Sequence, residues 1–551
     1  MKKSSRIMSA LLAAAMLVVS AAGCSNSGTE TSSASSDTAT SSSAAEGESS
    51  AAESGASDAA PLSGKITVEV FDRGNTGGSD PTNNHWTQWI QEKFTGETGV
   101  EVEFVSVPRS EEVPRLNVLM ASNSAPDISY TYTASVVYNF YKNGGLADLT
   151  SSLANYGQDL TEYLGEEVLS YGQFEPGVQV AIPAKRISLA KTMTYVRKDW
   201  LDKLGMELPT TKEEFHAMLT AFKEQDPGNV GENLIPFEAY ADATWCFSPI
   251  LDSFIDYSAD PKELAINNPA GIGLTLPGYE EGVKWINQLY NEGLIDTQFP
   301  MYKDNVQTDA NVSAGFVGVY SHNYDYPIRT SPGIYTELLK VVPDAELVPI
   351  DCFENPHMDN KHIKQIYNPV GLYIFVPATS QNVDGAIAYL NWLSDYDQRF
   401  YLTCGEEGVN HTLDENGIPV MVSVEGEMIM NSPNNLDYAL ILNGVDLDDQ
   451  EKNIEVLSKS YEPQYVDLYM QAYDLSVTDG LTIPRISTPI DAEAQYTANL
   501  QEKAKEVMCN AIVAAPENFE AAWDAGIQEY LAAGAQQCID ERSAAWDAEN
   551  P

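Results

Sequence analysis

Residues 25–61 contain no leucine, isoleucine, valine, aromatic residue, lysine or arginine; serine, threonine, alanine, glycine and acidic residues supply almost all of this stretch. A segment so poor in apolar side chains cannot bury enough surface to offset the entropy of ordering it. It therefore reads as a flexible tether with an r.m.s. reach of roughly 35 Å, and the fold must be built from the residues C-terminal to it. Residues 64–551 are too many for one hydrophobic core and suit two lobes of ordinary domain size.

The tether is preceded by Lys2, Lys3 and Arg6, an apolar run over residues 7–19, and the small residues Ser20, Ala21, Ala22 and Gly23 before Cys24. This is the pattern of a secretory signal peptide over residues 1–23, and the run is shorter than the ~20 residues a membrane-spanning helix needs. The ending Ala21-Ala-Gly-Cys24 resembles a bacterial lipobox, in which the cysteine is lipidated and becomes the mature N-terminus. The alternative is an ordinary signal peptide with a chance cysteine. Under the lipobox reading, residues 24–63 form a lipidated cysteine plus tether on the outer face of the cell membrane. The membrane is then touched through the lipid anchor only, since two acyl chains anchor stably without a spanning helix.

The formal charge is −49. A surface so acidic, with no basic cluster in the sequence, repels polyanions, so nucleic acid is excluded as a partner. Beyond Cys24 the cysteines are Cys246, Cys352, Cys404, Cys509 and Cys538. They are widely spaced, odd in number and form no CxxC pair, which argues against a zinc site or a disulfide framework. Most read as buried small hydrophobes; a single bridge, such as Cys509 to Cys538, stays open.

The folded part alternates strand and helix patterns. Lys65-Ile-Thr-Val-Glu-Val-Phe71 alternates like a strand, Trp86, Trp89, Ile90 and Phe94 recur at helical spacing, and residues 100–107 alternate again. A helix over 114–120 and a short strand over 127–132 come next. The β-α-β rhythm predicts an α/β fold with a parallel sheet covered by helices. Further on, residues 193–196 and 314–320 read as strands, Thr211-Lys-Glu-Glu214 as a capping box, 278–293 as an amphipathic helix, 370–377 as a strand and 383–393 as a helix.

Taken in order, Phe71-Asp-Arg-Gly74, Pro108-Arg-Ser-Glu-Glu112, Ala125-Pro-Asp-Ile-Ser129, Asn143-Gly-Gly-Leu-Ala-Asp-Leu149, Val180-Ala-Ile-Pro-Ala184, Tyr195-Val-Arg-Lys-Asp-Trp-Leu201, Pro209-Thr-Thr-Lys-Glu-Glu-Phe215 and Ala314-Gly-Phe-Val-Gly318 resemble the family 1 extracellular solute-binding proteins. These are ABC importer subunits of the maltose- and alginate-binding class, Gram-positive type. The resemblance covers essentially all of residues 64–551. It implies a two-lobe fold of the periplasmic-binding-protein type with a ligand cleft between the lobes, residues 64–183 and 367–405 forming lobe one and 184–366 and 406–551 forming lobe two. It further implies a monomer that captures a small-molecule ligand, an oligosaccharide by preference, delivers it to ABC permease subunits, and uses no cofactor and no catalysis.

A sugar site needs aromatic platforms beside hydrogen-bonding side chains, placed beyond the carboxyl ends of strands. That rule selects Asp72, Arg73 and Asn75 after the first strand, with Trp86 close to this loop, and Tyr132 after the third. Phe237-Glu-Ala-Tyr240 resembles a sugar-contacting Glu-Pro-Tyr phrase of the family, which implicates Glu238 and Tyr240, with Trp245 shortly after. Tyr320 and His322 end the strand near Gly318, and Arg186 and Tyr367 sit near inferred lobe crossings. Each has a plainer alternative: a solvated turn for Asp72 and Arg73, core packing for the aromatics, a surface position for His322 and lobe bridging for Arg186 and Tyr367. Residues 226–236 match a calcium loop of alginate-binding relatives but lack two acidic ligands and one residue; calcium needs six to eight oxygens, so a plain turn and no metal is expected.

Two other function classes compete. A secreted carbohydrate-active enzyme would need paired carboxylates, which carry no information among 80 acidic residues, and no HExxH, GxSxG or phosphate loop is present. A ligand-presenting surface receptor or adhesin could use the same fold on the same tether.

Overall fold

A computed structural model describes residues 61–74, 80–329, 333–422 and 437–551. The signal segment, Cys24, most of the tether and Asn75 lie outside the described residues. Residues 58–551 form one unit by their internal contacts, and within it two sheets organise separate cores.

The first sheet region starts with Gly64–Asp72, which pairs in parallel with Val100–Pro108. The helix His85–Thr98 joins them, its apolar stripe of Trp86, Ile90 and Phe94 turned inward and its first turn closed by an Asn84 capping box. Val68 bridges in parallel to Ile128, and the neighbouring four-stranded sheet runs in the order Leu442–Asn443, Ile182–Arg186, Val370–Phe375, Ser129–Thr131. Its central strand Val370–Phe375 is antiparallel to both neighbours. The expectation of a parallel sheet is therefore corrected to a mixed one: a strand that returns from the other half of the chain need not obey the parallel geometry that a local β-α-β crossover imposes.

The second sheet has the order Leu347–Ile350, Thr192–Arg197, Val317–Asn323, Ile235–Glu238. Only its last pair is parallel. The helices Lys212–Gln225 and Tyr279–Asn291 and the C-terminal Asp491–Val513, Phe519–Tyr530 and Gln536–Glu549 pack into the core beside it. Asn287, only 2% exposed, locks two of these helices by donating to the carbonyls of Ala511, Ile512 and Ala514 at 3.0, 2.9 and 2.7 Å. These carbonyls lie at the C-terminal end of helix Asp491–Val513, where intrahelical donors run out.

The chain passes between the sheets after Arg186, before Val370 and after Asn443. The short parallel pair Lys364–Gln365 with Gly480–Leu481 ties the second of these connecting segments to the chain that follows helix Val466–Val477. Tyr438 to Leu442 pack into the first core, whereas the sequence-based partition places them with lobe two; they return as an edge strand too short to leave a periodic signal. The five cysteines among the described residues are free thiols, four of them buried. Cys509 faces the carbonyl of Ala241 at 3.4 Å rather than Cys538. Among the described residues no helix is long and apolar enough to cross a membrane.

Candidate functional site

Where Gly64–Asp72 and Ser129–Thr131 end side by side, they deliver Arg73 and Tyr132. The Arg73 guanidinium donates to Asp437 at 3.0 and 3.3 Å and to the Tyr132 hydroxyl at 3.2 Å. Burial by itself would lower the Arg73 pKa, but Asp437 and Tyr132 outweigh it and the pKa is raised. Arg109, absent from the sequence-derived set, lies over the Tyr132 ring at 4.5 Å and pairs with Glu112 at 2.6 Å. The same Glu112 carboxylate accepts from the Tyr132 backbone N–H at 3.0 Å, fixing the aromatic platform between charged partners. Asp72 is exposed and caps its own turn, accepting from Gly74 N–H at 2.9 Å. Trp86 is corrected: it is 1% exposed and packs edge-on against Tyr401 at 5.3 Å in the first core, where a helical stripe carries it away from the loop.

The connecting segments contribute Arg186 and Tyr367. The guanidinium lies 4.3 Å above the Tyr367 ring and its Nε donates to Val370 O at 3.1 Å; burial lowers its pKa, with Tyr367 and Tyr132 pulling the other way. Burial raises the Tyr367 pKa, opposed by Arg186 and by Arg329, which with Asp325 flanks the turn after strand Val317–Asn323. These two residues thus stand between the two cores.

On the second sheet, Tyr240 and Trp245 line one cavity of about 610 Å³. Its wall also holds Tyr279, Lys191 from the first connecting segment, and Gln365 from the second. Strand Ile235–Glu238 aims the chain here, and the short helix Ala243–Cys246 presents the indole. Two aspartates of the wall are already engaged. Asp242 accepts from Thr244 Oγ1 at 2.7 Å and pairs with Lys505 at 3.5 Å; Asp252 accepts from Tyr257 OH at 2.7 Å and Gln365 N–H at 3.0 Å.

Glu238 does not line that cavity. It is 2% exposed, accepts from Asn311 at 2.8 Å, and burial, aided by Asp296, pushes its pKa up to about 8, so at neutral pH it is a protonated carboxyl supporting the wall from behind. Tyr320 is corrected as well: the strand runs on to Asn323, so Tyr320 lies in mid-strand, 5% exposed, with its ring stacked on Tyr195 at 5.9 Å inside a core. His322 is half-buried and stacked on Tyr326. It accepts from Asn323 N–H at 2.8 Å, and burial together with the Arg329 cation takes its pKa down to about 3, so the ring is neutral.

For metals, Asp226 has both carboxylate oxygens taken by Val230 and Gly231 N–H at 3.0 and 2.9 Å, the geometry of a self-closed turn. Asp351, Cys352 and His362 place ligand-type atoms within 4.8 Å of one another, yet Lys364 already pairs with Asp351 at 2.5 Å and His362 Nδ1 with Cys352 O at 2.6 Å. The site as a whole offers aromatic faces, an ammonium and amide groups around a cavity reached by two of the three connecting segments. That equipment suits a polar ligand with apolar faces.

Fold and site together define a two-lobed α/β binding protein. The family model for bacterial extracellular solute-binding proteins matches residues 79–399, more than half of the chain, and the chain belongs to that family. Among curated relatives, the fructooligosaccharide ABC transporter substrate-binding protein FusA of Streptococcus pneumoniae serotype 4 is 27% identical over 227 residues, 38% of this chain and 41% of FusA. The lipoprotein LipO of Bacillus subtilis strain 168 is 27% identical over 242 residues, 41% of this chain and 44% of LipO. The chain thus matches less than half the length of either. A solved structure of S. pneumoniae FusA, an EF-hand mutant in complex with fructo-nystose, superposes with TM-score 0.62 at 17% identity, over 88% of this chain and 99% of that one.

Proposed function

We propose that this protein is the solute-binding subunit of an ABC importer that captures an oligosaccharide by closing two lobes and presents it to permease subunits, without covalent chemistry. The observation that carries the reading is the cavity of about 610 Å³ with Tyr240, Trp245 and Tyr279 in its wall, reached by two of the three connecting segments, in a chain of the solute-binding family. Relatives named for a fructooligosaccharide and as a lipoprotein support the ligand class and the anchor. In this proposal residues 64–183 and 367–405, joined by Tyr438 to Leu442, act as one lobe and the remainder of 184–551 as the other. Arg73, Tyr132, Arg186 and Tyr367 face the ligand opposite Tyr240 and Trp245. Cys24 carries the lipid, and the protein works as a monomer on the outer face of the membrane.

A thermal-shift screen over mono- and oligosaccharides tests the ligand class, because binding to the native state alone raises the melting temperature by mass action. A shift with at least one oligosaccharide is the expected result. Shifts with peptides or polyamines and with no glycan would reject it.

A further inference from the structure

Lys191 sits in the segment that leaves the first sheet after Arg186 and enters the second at Thr192. Its position is fixed from both sides: its N–H donates to Ser476 Oγ at 3.0 Å and its carbonyl accepts from Tyr324 N–H at 3.2 Å. The side chain lines the cavity that holds Tyr240 and Trp245. Its ammonium has neither a hydrogen-bond acceptor nor an ion-pair partner among the described residues. Asp252 acts on it electrostatically without reaching pairing distance, and both Asp252 oxygens are taken by Tyr257 and Gln365. The other cation of the wall, Lys505, is committed to Asp242 and Glu502 at 3.5 and 3.0 Å. Burial lowers the Lys191 pKa, as expected for a desolvated ammonium lacking a close counter-charge.

Lys191 is half-buried, its side chain on the cavity wall, and an ammonium so placed gains most from a ligand that brings both an acceptor and the opposite charge. A sugar hydroxyl would accept one hydrogen bond and leave the charge uncompensated; a carboxylate would accept the bond and supply the opposite charge. The aromatic rings on the same wall suit the C–H face of a pyranose.

Resting on the oligosaccharide reading above, we infer that the cavity is a subsite for an acidic sugar unit, whose carboxylate is received by Lys191 while Trp245 and Tyr240 hold the ring. Lys191 is then the residue that sets selectivity for charged over neutral glycans.

The test is calorimetric titration of the full chain with trigalacturonate and its methyl ester, and with sialyllactose and lactose, so that a hexuronate and a sialic-acid carboxylate are separated. The native protein should bind at least one acid about 10- to 100-fold more tightly than its neutral counterpart, the range a charge-assisted hydrogen bond commands. Lys191→Gln and Lys191→Met should erase that preference, with Lys191→Arg retaining part of it. The comparison of acid with neutral ligand on the native protein needs no variant and stands if a variant fails to fold. If neutral glycans bind as tightly as acids and Trp245→Ala abolishes that binding, the Lys191 inference falls and the oligosaccharide reading survives. A preference unchanged in Lys191→Gln also overturns it. If none of the four binds and no glycan shifts the melting temperature, both readings fall.

Discussion

Two tryptophans make opposite predictions from the same substitution. Trp86 is 1% exposed and wedged against Tyr401, so Trp86→Ala removes a packed side chain from the first core and should cost about 3–5 kcal/mol of folding stability. Ligand affinity, measured where the variant is still folded, should stay within about twofold, because the ring does not reach the cleft. Trp245 stands in the cavity wall, partly exposed. Trp245→Ala should cost about 1 kcal/mol of stability, the usual effect away from a fully packed core. It should weaken oligosaccharide binding by about 2–4 kcal/mol, the magnitude of an interface hot spot, or roughly 30- to 1,000-fold. Urea unfolding and isothermal titration on the two variants read both quantities. If Trp245→Ala loses as much stability as Trp86→Ala and binds ligand normally, the indole is packing and not a platform, and the assignment of this cavity to ligand is refuted.

Glu238 keeps its proton in the folded protein up to about pH 8 against an ordinary value of 4.5, so between these values the folded state binds more protons and stability falls as pH rises, by up to about 1.4 kcal/mol per pH unit for this group. Glu238→Gln should remove that share of the slope in unfolding experiments from pH 5 to 8, leaving the similar contribution of buried Glu69; an unchanged slope contradicts the assignment. Arg73→Met strands Asp437, whose side chain is 7% exposed, and should cost about 3–5 kcal/mol, whereas the double change with Asp437→Leu should recover part of it; additive losses in urea unfolding would show that the pair is not coupled. Cys24→Ser should leave affinity unchanged and remove the lipid from the mature chain, and a native protein without lipid on Cys24 by mass spectrometry rejects the anchor.

Periodic segments are legible in the sequence because their signal is local. The Trp86, Ile90, Phe94 stripe gives the helix His85–Thr98, and Thr211 with Glu214 forms the capping box of Lys212–Gln225. Residues 370–377 and 383–393 correspond to the strand Val370–Phe375 and the helix Val383–Ser394. The strand expected at 314–320 begins later, at Val317, since the preceding helix extends to Ser313. Long-range features leave no such trace. Tyr438 to Leu442 join a core formed mainly by residues far earlier in the chain. Asp437 becomes a partner of Arg73 across 364 positions. Proximity to strand ends puts forward Arg73 and Tyr132, and a family-like phrase puts forward Tyr240 and Trp245, but neither signal tells which way a side chain turns: Trp86, put forward for its closeness to the first loop, and Tyr320, expected where a strand ends, are both core. Lys191 stands out as a charge in the otherwise apolar and hydroxyl-bearing run Ser188-Leu-Ala-Lys-Thr-Met193 at a lobe crossing, a signal that could have marked it. Its lack of a partner is visible only in three dimensions.

In the proposed function, ligand is captured between lobes that move. A ligand touching both lobes only in the closed form shifts the population toward it. Small-angle X-ray scattering of the protein with and without a saturating oligosaccharide found by the thermal-shift screen measures this directly. A smaller radius of gyration at saturation is expected; the same radius with and without ligand would contradict capture by closure.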